Sequence, residues 1–403
     1  MKKLIILCLS FFVSSCSSFN LSSVLDITSL NTYEKQDDAI TIQNIWSTDI
    51  GNKRDYKTGV LQPVFIDNNA YTIDGQGFVS AINLLDGNAL WTANLDMDVS
   101  SGLSIHNKQI FFGTNDGMYY GYDIETLMSS YSFIDTIDFI DLLDNKALAP
   151  IMSTQLKSEA SSPAVGIDNL IFVKLDDGDT SAINIEDNNL EWNYKGRNVP
   201  LSIKGSGAIA YQNNNIYVPR DDGNIISLVA SSGKLNWLAS ISPRSGRNEL
   251  ESLRDVEISP VISNGVLFIG SYQGNLISID ILNGNIIWSR PMSVMSHFSV
   301  DDSSLYISDD AGYIYSIDRY NGDIQWKQKI PNNIQSTQTF IMNNYILSLS
   351  VEGHVIVIDK IDGKLLVFER VLNDIDPQIN SLLQDKTLYI VSKNGRLNAI
   401  KIN

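Results

Sequence analysis

The chain predicts an all-β fold, a closed eight-bladed β-propeller of four-stranded antiparallel blades, on three observations. The first is a frame, clearest in YQGNLISIDILNGNIIW (Tyr272–Trp288), in which a glycine precedes a tryptophan by fourteen residues; it returns at Gly77–Trp91, Gly178–Trp192, Gly223–Trp237 and Gly312–Trp326. The second is the period. With weaker copies at Gly117, Gly353 and Gly395 there are eight units, whose leading glycines lie 40, 61, 45, 51, 38, 41 and 42 residues apart. Repeats of ~40 to 45 residues with about four short strands each are the signature of propeller blades. The third is the strand count: upstream of each glycine sit two further strands joined by a polar turn, as in PVISNGVLFIGSYQG (Pro260–Gly274).

Taken in order, the chain opens on Lys2 and Lys3, an apolar run from Leu4 to Val13, and small residues leading to Cys16, the layout of a secretory leader over residues 1–15. The stretch VSSC resembles a bacterial lipobox, which implies that Cys16 is acylated and becomes the new amino terminus. Cys8 would leave with the leader, so the mature chain would carry no free thiol, and removal of Lys2 and Lys3 would take the formal charge from −17 to −19. Residues 16–39 are polar and without period. They read as a lipidated tether of roughly two dozen residues, reaching on the order of 25 Å.

Residues 40–403 then form the propeller. The eighth unit stops after Ile402 without its last strand, while ITIQNIW (Ile40–Trp46) is a strand with a Trp and no hairpin before it. This strand is expected to complete the last blade and close the ring, since closure removes the sheet edge a terminal blade would expose. All six Trp (46, 91, 192, 237, 288 and 326) then share one position, packing blade against blade.

Two long intervals depart from the repeat. The first holds residues 129–163, with the apolar group Phe139, Ile140, Leu142 and Leu143; it reads either as a protruding interaction element or as a plain surface insertion. The second holds the charge-rich stretch Ile241–Pro260, a long loop at one rim, and long loops on rigid scaffolds often carry function. Nearby, VPLSIKGSG (Val199–Gly207) places apolar residues beside Lys204, the composition of a protein contact.

Composition excludes several classes. With 43% hydrophobic and 19% charged residues the chain can bury a large core, and a net charge of −17 argues against nucleic acid and against unassisted binding to an anionic membrane. No stretch after the leader approaches the ~18 to 20 apolar residues of a membrane span, so the lipid would be the only anchor. The three His (106, 297 and 354) fall in different units, so zinc spacing is missing. The pairs Asp176-Asp177 and Asp221-Asp222 precede glycines as hairpin turns do, without the further ligands of a calcium loop. No cofactor or metal is implied.

Together, the lipobox, the eight Gly/Trp units and the two loops resemble the BamB family, β-propeller lipoproteins of the outer-membrane β-barrel assembly (BAM) machinery. The likeness covers about Ile40–Asn403 and is sharpest in NELESLRDVEISPVISNGVLF and VPLSIKGSG. It implies a non-catalytic scaffold on the periplasmic face of the outer membrane, with BamA (through its POTRA domains), other BAM subunits and unfolded outer-membrane proteins as partners. Docking on BamA would fall on Leu201, Ile203 and Lys204 in the first loop and on Asp255 and Glu257 in the second. Here Ile203 stands for the usual Leu, Lys204 for Arg, and Glu257 for Asp, and Lys keeps the charge but not the planar fork of Arg. The units are also similar to those of quinoprotein dehydrogenases, so a quinoprotein-like enzyme is the alternative. Those enzymes need an adjacent cysteine pair that the mature chain would lack. A propeller that binds a ligand in its channel would show clustered aromatics at the mouth.

Overall fold

Alternating apolar residues and Asx-Gly turns resolve into eight four-stranded antiparallel sheets. The structure, a computed structural model, describes residues 40–50, 62–131, 148–197, 207–241, 258–294, 296–375 and 380–403. Blades 1 to 7 span 64–94, 104–155, 165–194, 210–240, 261–291, 299–329 and 336–370, each a meander of consecutive strands. Blade 8 takes three strands from 382–402 and its fourth from the amino-terminal side, β1 (Ile42–Asp49), which pairs antiparallel with 396–402 from Ile42↔Ile402 to Asp49↔Arg396. The closing strand is therefore where the sequence places it.

Burial follows from stacking blades face to face. The middle strands touch a neighbour on both faces, so Val266–Gly270 and Asn275–Asp280 are buried at almost every position. Fourth strands alternate, as in Ala89–Asn94, where Trp91 and Ala93 point in and their neighbours out. Apolar clusters fill the seams between successive blades, including the closing seam, where Ile50, Ala70, Ile82 and Leu84 meet Tyr389, Val391, Leu397 and Ala399. The seam between blades 6 and 7 is different: hydroxyls carry it, with Ser308 Oγ donating to the Thr337 carbonyl at 3.1 Å and Thr339 Oγ1 accepting the Ser299 N–H at 3.1 Å.

The six Trp do share one register. Each lies opposite a small third-strand residue (Ala399, Ala81, Ala182, Ser227, Ser278 and Ser316 in blades 8, 1, 3, 4, 5 and 6). Across that residue the indole meets a second-strand aromatic, for example Trp237–Tyr217 at 5.7 Å and Trp288–Phe268 at 6.1 Å. Four of the indoles also reach the following blade, where Trp192, Trp237, Trp288 and Trp326 donate Nε1–H to the carbonyls of Ala230, Ile281, Arg319 and Lys360 at 2.9–3.0 Å. The turn glycine beneath makes room: a Cβ on Gly87 would lie 2.5 Å from the Trp46 ring, and on Gly284 2.7 Å from Trp237.

The stretch 129–163 needs correcting. Part of it is an integral strand: Met152–Gln155 is the fourth strand of blade 2, with Met152 opposite Gly121 in the Trp position and buried. Before it, α1 (Ile124–Tyr131) replaces the usual tight turn; Asp123 Oδ2 accepts the Thr126 N–H at 2.9 Å, a side-chain N-cap. Phe139, Ile140, Leu142 and Leu143 lie outside the described residues.

Candidate functional site

A four-stranded meander sorts its connections onto two rims. Turns between strands one and two and between three and four open on one rim; turns between two and three, and the connections from each fourth strand to the next blade, open on the other. The two segments singled out in the sequence are both connections of the second kind. One joins blade 3 to blade 4 and the other blade 4 to blade 5, so they flank blade 4 on a single rim.

Leu201, Ile203, Lys204, Asp255 and Glu257 themselves lie outside the described residues, as does Cys16. What the structure describes is the frame that holds the ends of these connections. Ile209, Ile241 and Ile258 are buried at 4%, 1% and 1% exposure, which roots the ends in the ring. The two returning ends are tied directly, the Ala208 N–H donating to Ser259 Oγ at 2.9 Å across 51 residues of sequence. On the departing side, the Gly196 N–H donates to Asp179 Oδ1 at 2.8 Å.

Charged side chains on the neighbouring turns of this rim are already committed. Lys174, almost wholly buried, reaches from blade 3 to Asp221 of blade 4 at 3.0 Å, and Arg220 pairs with Asp222 at 3.3 Å. Lys157 bridges Asp177 and Asp179 at 3.0 and 3.1 Å, and these hydrogen bonds hold its ammonium above the usual lysine range. Burial pushes the Asp179 carboxyl up, but hydrogen bonds from Asn193, Gly196 and Lys157 outweigh it and leave it below the usual range. Asp177-Gly178 and Asp222-Gly223 form the expected turns, the glycine N–H groups donating to Leu175 and Arg220 carbonyls.

The sequence reading missed Lys174 and Arg220. The available signal was a basic residue breaking the apolar end of a second strand, in LIFVK and IYVPR. A recess of about 470 Å³ farther round the same rim is lined by Asp96, Asp98 and Asp116, with Tyr120 as its one aromatic. Among the described residues, no three His, Cys, Asp or Glu side chains converge as a metal site would need.

Residues 143–328 match the family described as "Outer membrane protein assembly factor BamB". The factor of that name from Yersinia pestis is 24% identical over 360 residues, 89% of this chain and 88% of the relative. The chain is similar to BamB over most of its length. The crystal structure of BamB from Moraxella catarrhalis superposes with a TM-score of 0.73 at 17% identity, over 90% of this chain and all of that one, which confirms the eight-bladed fold. The quinohemoprotein alcohol dehydrogenase from Comamonas testosteroni gives a TM-score of 0.61 at 11% identity, covering 89% of this chain and 76% of the enzyme. BamB and that enzyme thus share the propeller with this chain.

Proposed function

We propose that the chain is an outer-membrane protein assembly factor of the BamB type, a scaffold in the BAM complex that performs no catalysis. On this reading Cys16 is lipid-modified, residues 16–39 tether the ring to the periplasmic face of the outer membrane, and residues 40–403 are the working domain. The ring docks on the POTRA domains of BamA through Leu201, Ile203 and Lys204 together with Asp255 and Glu257. The observation that carries the reading is the Ala208–Ser259 hydrogen bond, which joins the roots of two connections far apart in sequence but flanking one blade. Apolar anchors from one connection and carboxylates from the other would form a single patch with a desolvated centre and a charged rim. The non-catalytic reading is supported by the names of the relatives and by carboxylates on this rim that are engaged with Lys157, Lys174 and Arg220.

The test is a mild-detergent pull-down of the full-length lipoprotein from its own membranes, beside a variant carrying Leu201→Ala and Asp255→Lys. Wild type is expected to recover a large barrel-forming subunit, and the variant to lose it while keeping its β-sheet circular dichroism. Recovery of that subunit by both proteins would remove these residues from the interface; recovery by neither would overturn the assembly role.

A further inference from the structure

One position on the opposite rim divides the ring in two. In every blade the residue at the end of the third strand donates its N–H to the blade's first turn: Leu84 to Asn68, Ile124 to Lys108, Ile185 to Asn169, Ala230 to Asn214, Ile281 to Gly265, Arg319 to Ser303, Lys360 to Asn344 and Ile402 to Lys386. These bonds set the register of the next residue, which stands at the tip. In blades 5, 6, 7 and 1 the tip is Leu282, Tyr320, Ile361 and Leu85, at 81%, 70%, 81% and 70% exposure. In blades 2, 3 and 4 it is Glu125, Glu186 and Ser231, all exposed and all polar.

Blade 8, between the apolar blades 7 and 1, has no such turn. There the third strand runs out at Asn403 and the described chain enters at Ile40, with Thr41 and Asn403 exchanging N–H···O bonds at 3.0 Å. The apolar tips thus form one arc that includes the point where the described chain enters, and the polar tips of blades 2 to 4 complete the ring. A turn tip ordinarily takes Asn, Asp, Ser or Gly, and four large apolar side chains at that exposure lose water contact only against a partner.

We infer that this arc is a lipid-contact surface: the ring rests blades 5 to 8 and 1 on a zwitterionic phospholipid interface and holds blades 2 to 4 away from it. Equivalent positions around a ring lie in one plane, and separate tips in a plane match a bilayer surface, whereas a bound peptide needs a continuous groove or sheet edge. Tyr suits the headgroup level, and Leu and Ile the boundary below it. The acidic chain disfavours an anionic surface. Weak contacts suffice because a tether keeps the ring at high local concentration. Blade 4, whose flanking connections carry the proposed docking residues, lies opposite blade 8 and so faces away from the surface. The inference rests on the lipid-anchor reading for its native setting.

The test uses an environment-sensitive fluorophore on single cysteines, Leu282→Cys and Ile361→Cys against Glu186→Cys and Ser231→Cys, in the full-length lipoprotein. Vesicles of phosphatidylethanolamine and phosphatidylcholine carry a spin-label quencher at a shallow acyl position. A second arm holds the chain from Ser17, with an amino-terminal histidine tag, on the same vesicles through a chelating lipid. Labels at 282 and 361 are expected to be quenched several-fold more than those at 186 and 231 in both arms. Joint substitution Leu85→Ser, Tyr320→Ser and Leu282→Ser should abolish the contrast at 361 without changing the circular dichroism. Equal quenching on both sides, none at all, or shielding of 282 and 361 only at high protein density, which would indicate a second copy, overturns the surface. If the lipoprotein fails to float with vesicles while the chelate-held ring keeps the contrast, the anchor reading falls and the surface stands.

Discussion

At the residue scale the fold depends on a three-residue sandwich repeated around the ring: an indole, a small residue, and an aromatic two strands away. In blade 5 these are Trp288, Ser278 and Phe268. Trp288→Ala leaves a cavity and deprives the Arg319 carbonyl of its donor, and is expected to cost about 3–5 kcal/mol in urea melts. Ser278 makes the opposite case. Its hydroxyl is buried without a partner, so Ser278→Ala should be neutral or raise stability by about 1 kcal/mol. Where the indole is missing, its partners change too: blade 7 fills the place with Val367 over Val357 and Leu347, and blade 2 with Met152 over Gly121 and Phe111. His297 adds a pH dependence. Burial drives its imidazole down to about 4 from 6.5, and its Nε2 lies 3.3 Å from Ser259 Oγ, at the root of the proposed docking patch. A base with a depressed folded pKa is neutral in the fold, so the unfolded chain takes up the extra proton; stability is full above ~6.5 and falls through that window by on the order of 3 kcal/mol. Burial lowers His354 in the same direction, so His297→Gln should flatten only part of the slope, as read from urea midpoints across the window.

At the element scale, the seam between blades 6 and 7 is held by directional bonds rather than apolar contact. Thr339 in the first strand of blade 7 donates its hydroxyl to the Tyr306 carbonyl of blade 6 and accepts the Ser299 N–H at 3.1 Å. Thr339→Val keeps the shape and removes both bonds, leaving a buried donor and acceptor unpaired; a loss of about 1–3 kcal/mol is expected in thermal or urea unfolding. The same change at a residue packed only on apolar neighbours would cost less. The tight turns between third and fourth strands in blades 1, 5, 6 and 7 share one design: in blade 5 Asp280 Oδ1 takes the Leu282 N–H at 2.9 Å, and Gly284 accepts a positive φ beneath Trp237. Helix α1 is the exception in blade 2, and there Leu127 from the helix joins Trp91 in the seam core.

At the scale of the whole molecule, closure is carried by one strand from the other end of the chain. β1 covers the edge of 396–402, places Trp46 on Gly87 of blade 1, and seats Ile50 in the closing core. Deleting the chain through Asp49 should bare that edge and open the seam. The expected outcome is a broad or multi-step unfolding transition and higher-order species on size exclusion, since an unpaired strand edge is a template for pairing with another copy. A monomer with a single sharp transition would show that the remaining seams suffice. The ring's two rims also differ: the connections flanking blade 4 open on one, the apolar tips of blades 5, 6, 7 and 1 on the other.

The blade count, the strand order and the Trp register were legible in the sequence because a repeated unit states its own packing eight times over, and glycine-to-tryptophan spacing is a local signal. The closing strand was legible for the same reason, as the one fragment missing from the last copy. The proposed docking residues Leu201, Lys204 and Asp255 rest on family likeness alone, since they fall in stretches of sequence that break the repeat. The tertiary structure decided what sequence distance hides. It made Met152–Gln155 a blade strand, tied Ala208 to Ser259, buried Lys174 against Asp221, and set Leu282, Tyr320, Ile361 and Leu85 on one arc that includes the chain entry. Periodicity reports which face of a strand is buried; which residues from different blades meet, and on which rim, is set only when the ring closes.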